Sequence, residues 1–165
     1  MRVLAIDPGY GRCGVAVVDK EHGKETYVYS DCIETTAAIP FEDRLGTVAN
    51  ECERLITLYT PNALAMEKLF FNQNQKTAMR VAEVRGAILH CASTARLPVF
   101  EYTPGQIKSA TTGSGNADKK QMMAMIHLLL KISKPIRLDD EYDALAVGIT
   151  HLAHARQNGA KSPSS

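Results

Sequence analysis

The sequence predicts an α/β fold in which an antiparallel three-stranded meander is followed by alternating helices and strands. Three runs typical of strands follow one another within residues 2–30. From residue 41 onwards, apolar residues at helical spacing alternate with short apolar runs. Strands that alternate with helices form βαβ units, which add parallel neighbours to a sheet.

The first strand is a short, unbroken apolar run that ends at an acidic residue. Residues 3–6 suit a strand buried on both faces, and Asp7 closes it directly before the turn-forming pair Pro8-Gly9. Residues 12–19 and 24–30 predict the second and third strands. Asp7 therefore lies at the carboxyl end of a central strand, where it either caps the turn or holds a metal ion.

The chain then changes period. Apolar residues at threes and fours over 41–59 predict an amphipathic helix, which the turn at 60–62 ends. Residues 63–66 form another short apolar run, and Glu67 closes it. A second core strand thus ends in an acid, as the first does.

A second long helix is predicted over residues 72–94, and a fifth strand over 98–102. The apolar stripe of this helix carries Val81, Val84, Ile88 and Cys91, whereas its other faces are expected to carry Lys76, Arg80 and Arg85. Small residues at positions 78, 82, 86 and 87 favour core packing on this helix, with a dimer interface as the second interpretation.

The segment 103–120 combines a short helix with a polar, glycine-containing loop. Pro104 can open a helix that runs to Lys108, and the loop at 111–116 precedes a helix that starts near Asp118. The loop lacks the Walker pattern. Its amides and the lysines beside it could contact a phosphate, and an ordinary surface loop is an equally good interpretation.

The last predicted helix begins with a dense group of acids at 139–143. Asp140 and Asp143 are spaced i and i+3, so both carboxylates project from one face of the first turn. The helix dipole favours acids there, so capping is the structural alternative. Crowded carboxylates also repel one another, and a bound cation would remove that repulsion. His151 and His154, further along, are expected to be packed or solvated.

The length and composition predict one globular domain over residues 1–156 and a polar, disordered tail over 157–165. No apolar run approaches the ~20 residues needed to cross a bilayer. The four cysteines form no Cys-x-x-Cys pair, so a cytoplasmic protein with reduced thiols is expected. Although the net charge is only +1, residues 61–137 carry 11 basic and 4 acidic side chains, a distribution that permits an anionic partner.

Four acids stand out as a candidate site: Asp7, Glu67, Asp140 and Asp143. They converge if the two strands are neighbours and the last helix packs across them. Carboxylate oxygens suit Mg²⁺ or Mn²⁺. Two such ions ~3.5 to 4 Å apart can stabilise both the attacking and the leaving oxygen of a phosphoryl displacement. The predicted reaction is hydrolysis of a phosphodiester.

The sequence resembles the bacterial Holliday-junction resolvases of the RuvC type, the crossover junction endodeoxyribonucleases. The resemblance runs from Arg2 to about His154, and the order and spacing of its motifs are specific. These motifs lie at 6–9, 65–71, 85–87, 112–119 and 140–146. The resemblance implies a ribonuclease-H-like fold, with a mixed five-stranded sheet and helices on both faces. It also places the catalytic, metal-binding acids at Asp7, Glu67, Asp140 and Asp143, with two Mg²⁺ or Mn²⁺ ions per active site.

The resemblance further implies a homodimer that makes two symmetric nicks in a four-way DNA junction during recombination and repair, leaving 5′-phosphate and 3′-hydroxyl ends. A branch-migration complex of the RuvA and RuvB type is the implied protein partner, and no membrane is involved. Phe70 would stack on a base, with core packing as its alternative and Phe71 as the other candidate. Lys108 and Lys119 would lie near the scissile phosphate. Lys68 departs from the neutral residue that many relatives carry there.

Three other functions are compatible with parts of the pattern. The nearest is another ribonuclease-H-like nuclease that acts on structured RNA or DNA. An ATPase of the actin and sugar-kinase type would need two lobes and a second Asp-x-Gly loop, which a chain of 165 residues does not provide. A non-catalytic junction-binding protein would not need the four acids.

Overall fold

A mixed five-stranded sheet lies at the centre of the fold, and the computed structural model describes residues 1–69 and 75–158. The strands run in the spatial order β3-β2-β1-β4-β5. β1 pairs antiparallel with β2, β2 antiparallel with β3, β1 parallel with β4, and β4 parallel with β5. Their bounds are β1 Arg2–Asp7, β2 Arg12–Glu21, β3 Lys24–Glu34, β4 Ala63–Glu67 and β5 Val99–Tyr102.

Helices cover both faces of this sheet. The described helices are α1 Phe41–Tyr59, α2 Gln75–Thr94, α3 Pro104–Thr112, α4 Lys119–Leu130 and α5 Asp139–Asn158. α1 and α2 pack against each other and against one face. α5 packs against the other face together with α3 and α4. No helix in these ranges is long and apolar enough to span a bilayer.

The two-residue period of the strands divides the core into two clusters. In β1, Leu4 and Ile6 belong to the cluster under α1 and α2, whereas Val3 and Ala5 belong to the cluster under α5. β4 follows the same alternation. Since Asp7 lies two residues after Ala5, and Glu67 two residues after Ala65, both acids continue the α5 face.

α5 lies very close to the sheet because small residues meet at their contact. A Cβ atom at Gly148 would lie 2.7 Å from Val18 Cγ2 and 3.4 Å from Ala5 Cβ, the first of which is closer than packed carbon atoms approach. The strand residues beneath α5 include Ala5, Ala16 and Ala65, all of which are fully buried. The first turn of α5 is thereby brought down onto the sheet.

The predicted α/β architecture and its mixed five-stranded sheet are confirmed, and α1 occupies the predicted residues. β3 extends beyond its predicted end because its pairing with β2 continues to Arg12 opposite Glu34. α3 continues beyond Lys108 to Thr112, so the first residues of the predicted loop are helical, and Gly113 ends the helix with φ +79°. α5 reaches Asn158, and residues 159–165 lie outside the described ranges.

The structure shows the burial of two side chains whose surroundings the sequence left open. Arg85 was predicted to lie outside the apolar stripe of α2, and its side chain is nevertheless buried at 7% exposure. His151 is packed: it is 2% exposed, and its Nδ1 forms a 2.9 Å hydrogen bond with the Tyr102 hydroxyl. The period of a helix identifies a stripe but does not show how far the buried sector extends beyond it.

Candidate active site

The parallel pairing of β1 with β4 places two acids at one edge of the sheet. Ile6 lies opposite Met66, and Asp7 and Glu67 are the next residues of the two strands. Both acids face α5, as the strand alternation requires. The first two members of the predicted group therefore lie on neighbouring strand ends.

Gly14 brings the first turn of α5 to the same edge. It pairs with Asp7 across β1 and β2, and a Cβ atom at Gly14 would lie 1.8 Å from the main-chain oxygen of Asp140. Any side chain at this position would displace the helix. Because Gly14 has no side chain, the backbone of Asp140 can pass directly over it, next to Asp7.

The charges of these acids act on one another. Burial, followed by the charges of Asp143, Glu67 and Asp140, raises the pKa of Asp7 to about 7, and Lys119 acts in the opposite direction. Burial and the charge of Asp143 raise the pKa of Glu67. Burial also raises the pKa of Asp143, Lys119 opposes that increase, and Asp140 adds to it. The four acids therefore form one electrostatically coupled group.

These carboxylates have few protein partners. Within residues 1–69 and 75–158, no hydrogen bond or ion pair reaches the carboxylates of Asp7, Glu67 or Asp143. Asp140 Oδ2 is buried and accepts no hydrogen bond, although Arg12 Nε lies 3.2 Å away. The Arg12 contact is an ion pair that does not meet the geometry of a hydrogen bond. Buried oxygens without a donor are uncommon in native proteins, and a cation is one explanation for them.

The donors fit a hard divalent cation by their chemistry, since all four are carboxylates and one buried oxygen lacks a donor. They are not assembled into a ligand set, however. In the part of the chain that the structure describes, no three His, Cys, Asp or Glu side chains are arranged to hold a metal ion.

A cavity of about 260 Å³ opens beside Glu67 and Asp143. Lys108 of α3 and Lys119 of α4 both line it. Lys119 Nζ also lies 2.7 Å from Asp139 Oδ2, in a pair whose side chains are both 54% exposed. Such an exposed pair contributes little stability, so Lys119 can exchange this partner for an anionic ligand at low cost.

The family model described as crossover junction endodeoxyribonuclease RuvC matches residues 3–151. The chain belongs to this family. The RuvC of Brevibacillus brevis is 44% identical over 151 residues, which cover 92% of this chain and 91% of the relative. The RuvC of Thermosipho melanesiensis is 44% identical over 147 residues, covering 89% and 94%. The solved Thermus thermophilus RuvC in complex with Holliday junction substrate is 32% identical, covers 98% of each chain and has a TM-score of 0.90.

Membership of the RuvC family confirms the predicted resemblance, and the structure brings most of the predicted site residues together. Asp7, Glu67, Asp140 and Asp143 lie around one sheet edge, near enough for the charges of the other three to act on Asp7, and Lys108 and Lys119 line the adjoining cavity. Phe70 and Phe71 lie outside the described residues. Lys68 is exposed, and its backbone amide donates to the Tyr102 carbonyl at 2.8 Å.

Three residues of the site were missed from the sequence: Arg12, Gly14 and Arg85. Arg12 pairs with Asp140, and Gly14 admits the α5 backbone. Arg85 Nη1 donates to the Glu67 carbonyl at 2.5 Å. The position of Arg85, between Val84 and Ile88 of the apolar stripe, was the available signal for its burial. Nothing in the local sequence around Gly14 indicates a contact with a helix more than 120 residues away.

Proposed function

We propose that this chain is a metal-dependent endonuclease that resolves four-way DNA junctions by two symmetric phosphodiester nicks, leaving 5′-phosphate and 3′-hydroxyl ends. Crossover junction endonuclease activity is the activity of its family. One observation carries the proposal for the site: Asp7 lies at a sheet edge where the charges of Asp143, Glu67 and Asp140 all act on it, beside a cavity lined by two lysines.

In this proposal Asp7, Glu67, Asp140 and Asp143 are the catalytic residues and hold the divalent cations, two Mg²⁺ or Mn²⁺ ions per active site. A bound divalent cation supplies Lewis-acid stabilisation of the charge that develops on the phosphate and the leaving oxygen. The raised pKa of Asp7 supports its role, because burial and then the neighbouring acidic charges disfavour its anionic form, and a bound cation would stabilise that form. The carboxylates must be deprotonated to act as ligands.

The two lysines of the cavity would act on the DNA. Lys108 and Lys119 come from different helices and line the same cavity as Glu67 and Asp143, where they would attract and orient the scissile phosphate. Phe70, or Phe71 in its place, would stack on a base near the crossover, an interaction worth ~1 to 3 kcal/mol. Fixed orientation of the phosphate relative to the acids accounts for much of the barrier reduction expected here.

Two symmetric nicks require two active sites, so we propose a homodimer. A branch-migration complex of the RuvA and RuvB type would deliver the junction, and the reaction would take place in the cytoplasm. The Thermus thermophilus relative, which is described with a Holliday junction substrate, supports the choice of DNA substrate.

Cleavage of a synthetic four-way junction, with and without Mg²⁺ and with both product ends mapped, tests this proposal. We expect paired nicks at symmetric positions, 5′-phosphate and 3′-hydroxyl ends, and no reaction in EDTA. Linear duplex and structured RNA of matched length serve as comparison substrates. Equal cleavage of all three would favour a general ribonuclease-H-like nuclease instead.

A further inference from the structure

Two buried arginines lie under the sheet edge that carries the acids, on the face opposite to α5. Arg44 of α1 is 9% exposed and Arg85 of α2 is 7% exposed. Arginine is rarely buried to this degree, because removing a guanidinium group from water is costly unless its donors are satisfied. The partners of these two groups therefore indicate why they are retained.

Arg44 holds the turn that follows β1. Its Nη2 donates to the Tyr10 carbonyl at 3.0 Å and its Nε to Thr35 Oγ1 at 2.9 Å. Thr35 in turn donates to the Tyr10 carbonyl through its hydroxyl and to the Gly11 carbonyl through its amide. The guanidinium also lies 4.9 Å from the centre of the Tyr10 ring. No carboxylate in the described ranges forms an ion pair with Arg44.

Arg85 holds the end of β4 in the same way. Its Nη1 donates to the Glu67 carbonyl at 2.5 Å, and its Nη2 pairs with Glu101 of β5. The two nitrogens thus join the last residue of β4 to the neighbouring strand. Only a planar fork with two separate donors can reach both acceptors at once, so lysine would satisfy one of them.

The two arginines share one arrangement. Each comes from a different helix, and each donates to a main-chain carbonyl of a segment that carries an acid: the turn three residues after Asp7, or Glu67 itself. Since α1 and α2 pack against each other, the two contacts belong to one packed helical layer. This layer fixes the strand ends from below, while α5 delivers Asp140 and Asp143 from above.

We propose that Arg44 and Arg85 are positioning residues that hold the two strand ends so that Asp7 and Glu67 face the same site. The inference rests on the proposed function, because a defined geometry of these acids matters only if they act together. Residues that orient metal-binding side chains typically contribute about 10- to 100-fold in activity or metal affinity.

The test compares Arg44→Lys and Arg85→Lys with the wild type, using Arg54→Lys as the matched control. Arg54 also lies on α1, but its side chain is 49% exposed and pairs with Glu51 one turn away. We expect single-turnover junction cleavage to fall about 10- to 100-fold in the first two variants and to stay unchanged in the control. Junction affinity without divalent cation should stay within about threefold of wild type, since neither buried side chain can reach the DNA.

A folded variant that cleaves as fast as wild type would overturn the proposal, as would a loss of junction affinity that accounts for the whole loss of cleavage.

NMR of the wild-type protein provides a measurement that needs no variant. We expect hindered rotation and slow exchange of the Arg44 and Arg85 guanidinium groups, and free rotation of either would overturn its assignment. If wild-type protein fails to cleave junctions, the proposed function fails, whereas the NMR result still reports whether the strand ends are held.

Discussion

At the scale of single residues, Asp7 combines burial with three acidic neighbours. These influences raise its pKa to about 7, whereas its ordinary value is 3.8. A group with such a pKa is half protonated near neutral pH. Its charge state, and therefore its capacity to bind a cation, changes around neutral pH.

Asp7→Asn should abolish cleavage while leaving the fold and the junction affinity intact. The amide has nearly the shape of the carboxylate but lacks its charge, so several kcal/mol of cation-dependent stabilisation are lost, equivalent to ~1000-fold or more in rate. Single-turnover cleavage and gel-shift assays measure the two properties. Asp43→Asn, at an exposed acid in the first turn of α1, is the matched control. Retained nicking by the pure Asp7→Asn protein would remove Asp7 from the catalytic group.

The raised pKa of Asp7 also predicts a pH dependence of stability. In the metal-free protein, the folded state binds a proton at Asp7 between about pH 4 and 7 that the unfolded state releases, so the free energy of unfolding falls as pH rises through this window. Asp7→Asn removes the effect and should stabilise the metal-free protein at pH 8, by ~1 to 3 kcal/mol. Denaturant unfolding in EDTA at several pH values measures this. A variant less stable than wild type at pH 8 would contradict the assigned origin of the shift.

At the scale of elements, the site depends on where α5 lies. Gly14 and Gly148 allow this helix to approach β2 and β1, and Glu141 fixes its first turn. Glu141 Oε1 accepts a 2.6 Å hydrogen bond from Ser30 Oγ and lies 2.5 Å from Lys134 Nζ, at 6% exposure. These contacts hold the backbone of Asp140 and Asp143, although none of them involves the two carboxylates that we expect to bind the cation.

Gly14→Ala should displace the start of α5 and impair both stability and cleavage. The new methyl group would overlap the main-chain oxygen of Asp140, and overpacking of this kind costs ~1 to 3 kcal/mol. Gly46→Ala provides the control, because nothing lies within 4 Å of its new Cβ and alanine stabilises a helix by ~0.5 to 1 kcal/mol. In thermal unfolding, Gly14→Ala should therefore lower the stability and Gly46→Ala should raise it. In cleavage assays, only Gly14→Ala should lose activity.

Glu141→Ala should destabilise the protein because it leaves the Ser30 hydroxyl and the Lys134 ammonium without their shared acceptor. The loss of a hydrogen-bonded acceptor from a buried site costs ~1 to 3 kcal/mol. A double-mutant cycle with Lys134→Met isolates the contribution of the pair. We expect the double variant to be destabilised by less than the sum of the two single variants, which indicates a favourable interaction. Additive effects of the two substitutions would show that the ion pair contributes nothing.

At the scale of the whole molecule, the sequence predicts the features that depend on residues close together in the chain. It does not predict those that depend on contacts between distant segments. The strands that end at Asp7 and Glu67 were predictable because each apolar run and the acid that closes it are neighbours in the sequence. The close contact of Gly14 with Asp140, and the burial of Arg44 and Arg85, depend on segments that meet only after folding. The extension of α3 to Thr112 was missed because Gly113 ends a helix as readily as it opens a loop.

A homodimer with one active site per subunit makes a further prediction. In a mixture of wild-type and Asp7→Asn subunits, heterodimers should nick only one strand of a junction, so singly nicked junctions should accumulate. Supercoiled cruciform DNA reports this directly, since one nick gives an open circle and two coordinated nicks give a linear product. Each homodimer alone is the control. Linear products in proportion to the wild-type fraction, without open circles, would contradict two cooperating subunits.

The two-residue alternation of β1 carries a consequence for how this chain can vary. Leu4 and Ile6 face one helical layer, while Val3, Ala5 and then Asp7 face the other. Deleting a single residue from β1 would turn Asp7 towards α1 and α2 and would also exchange the large and small core residues between the two layers. Substitutions in this strand can be graded in their effects, whereas a change of its length by one would remove the site and the core together.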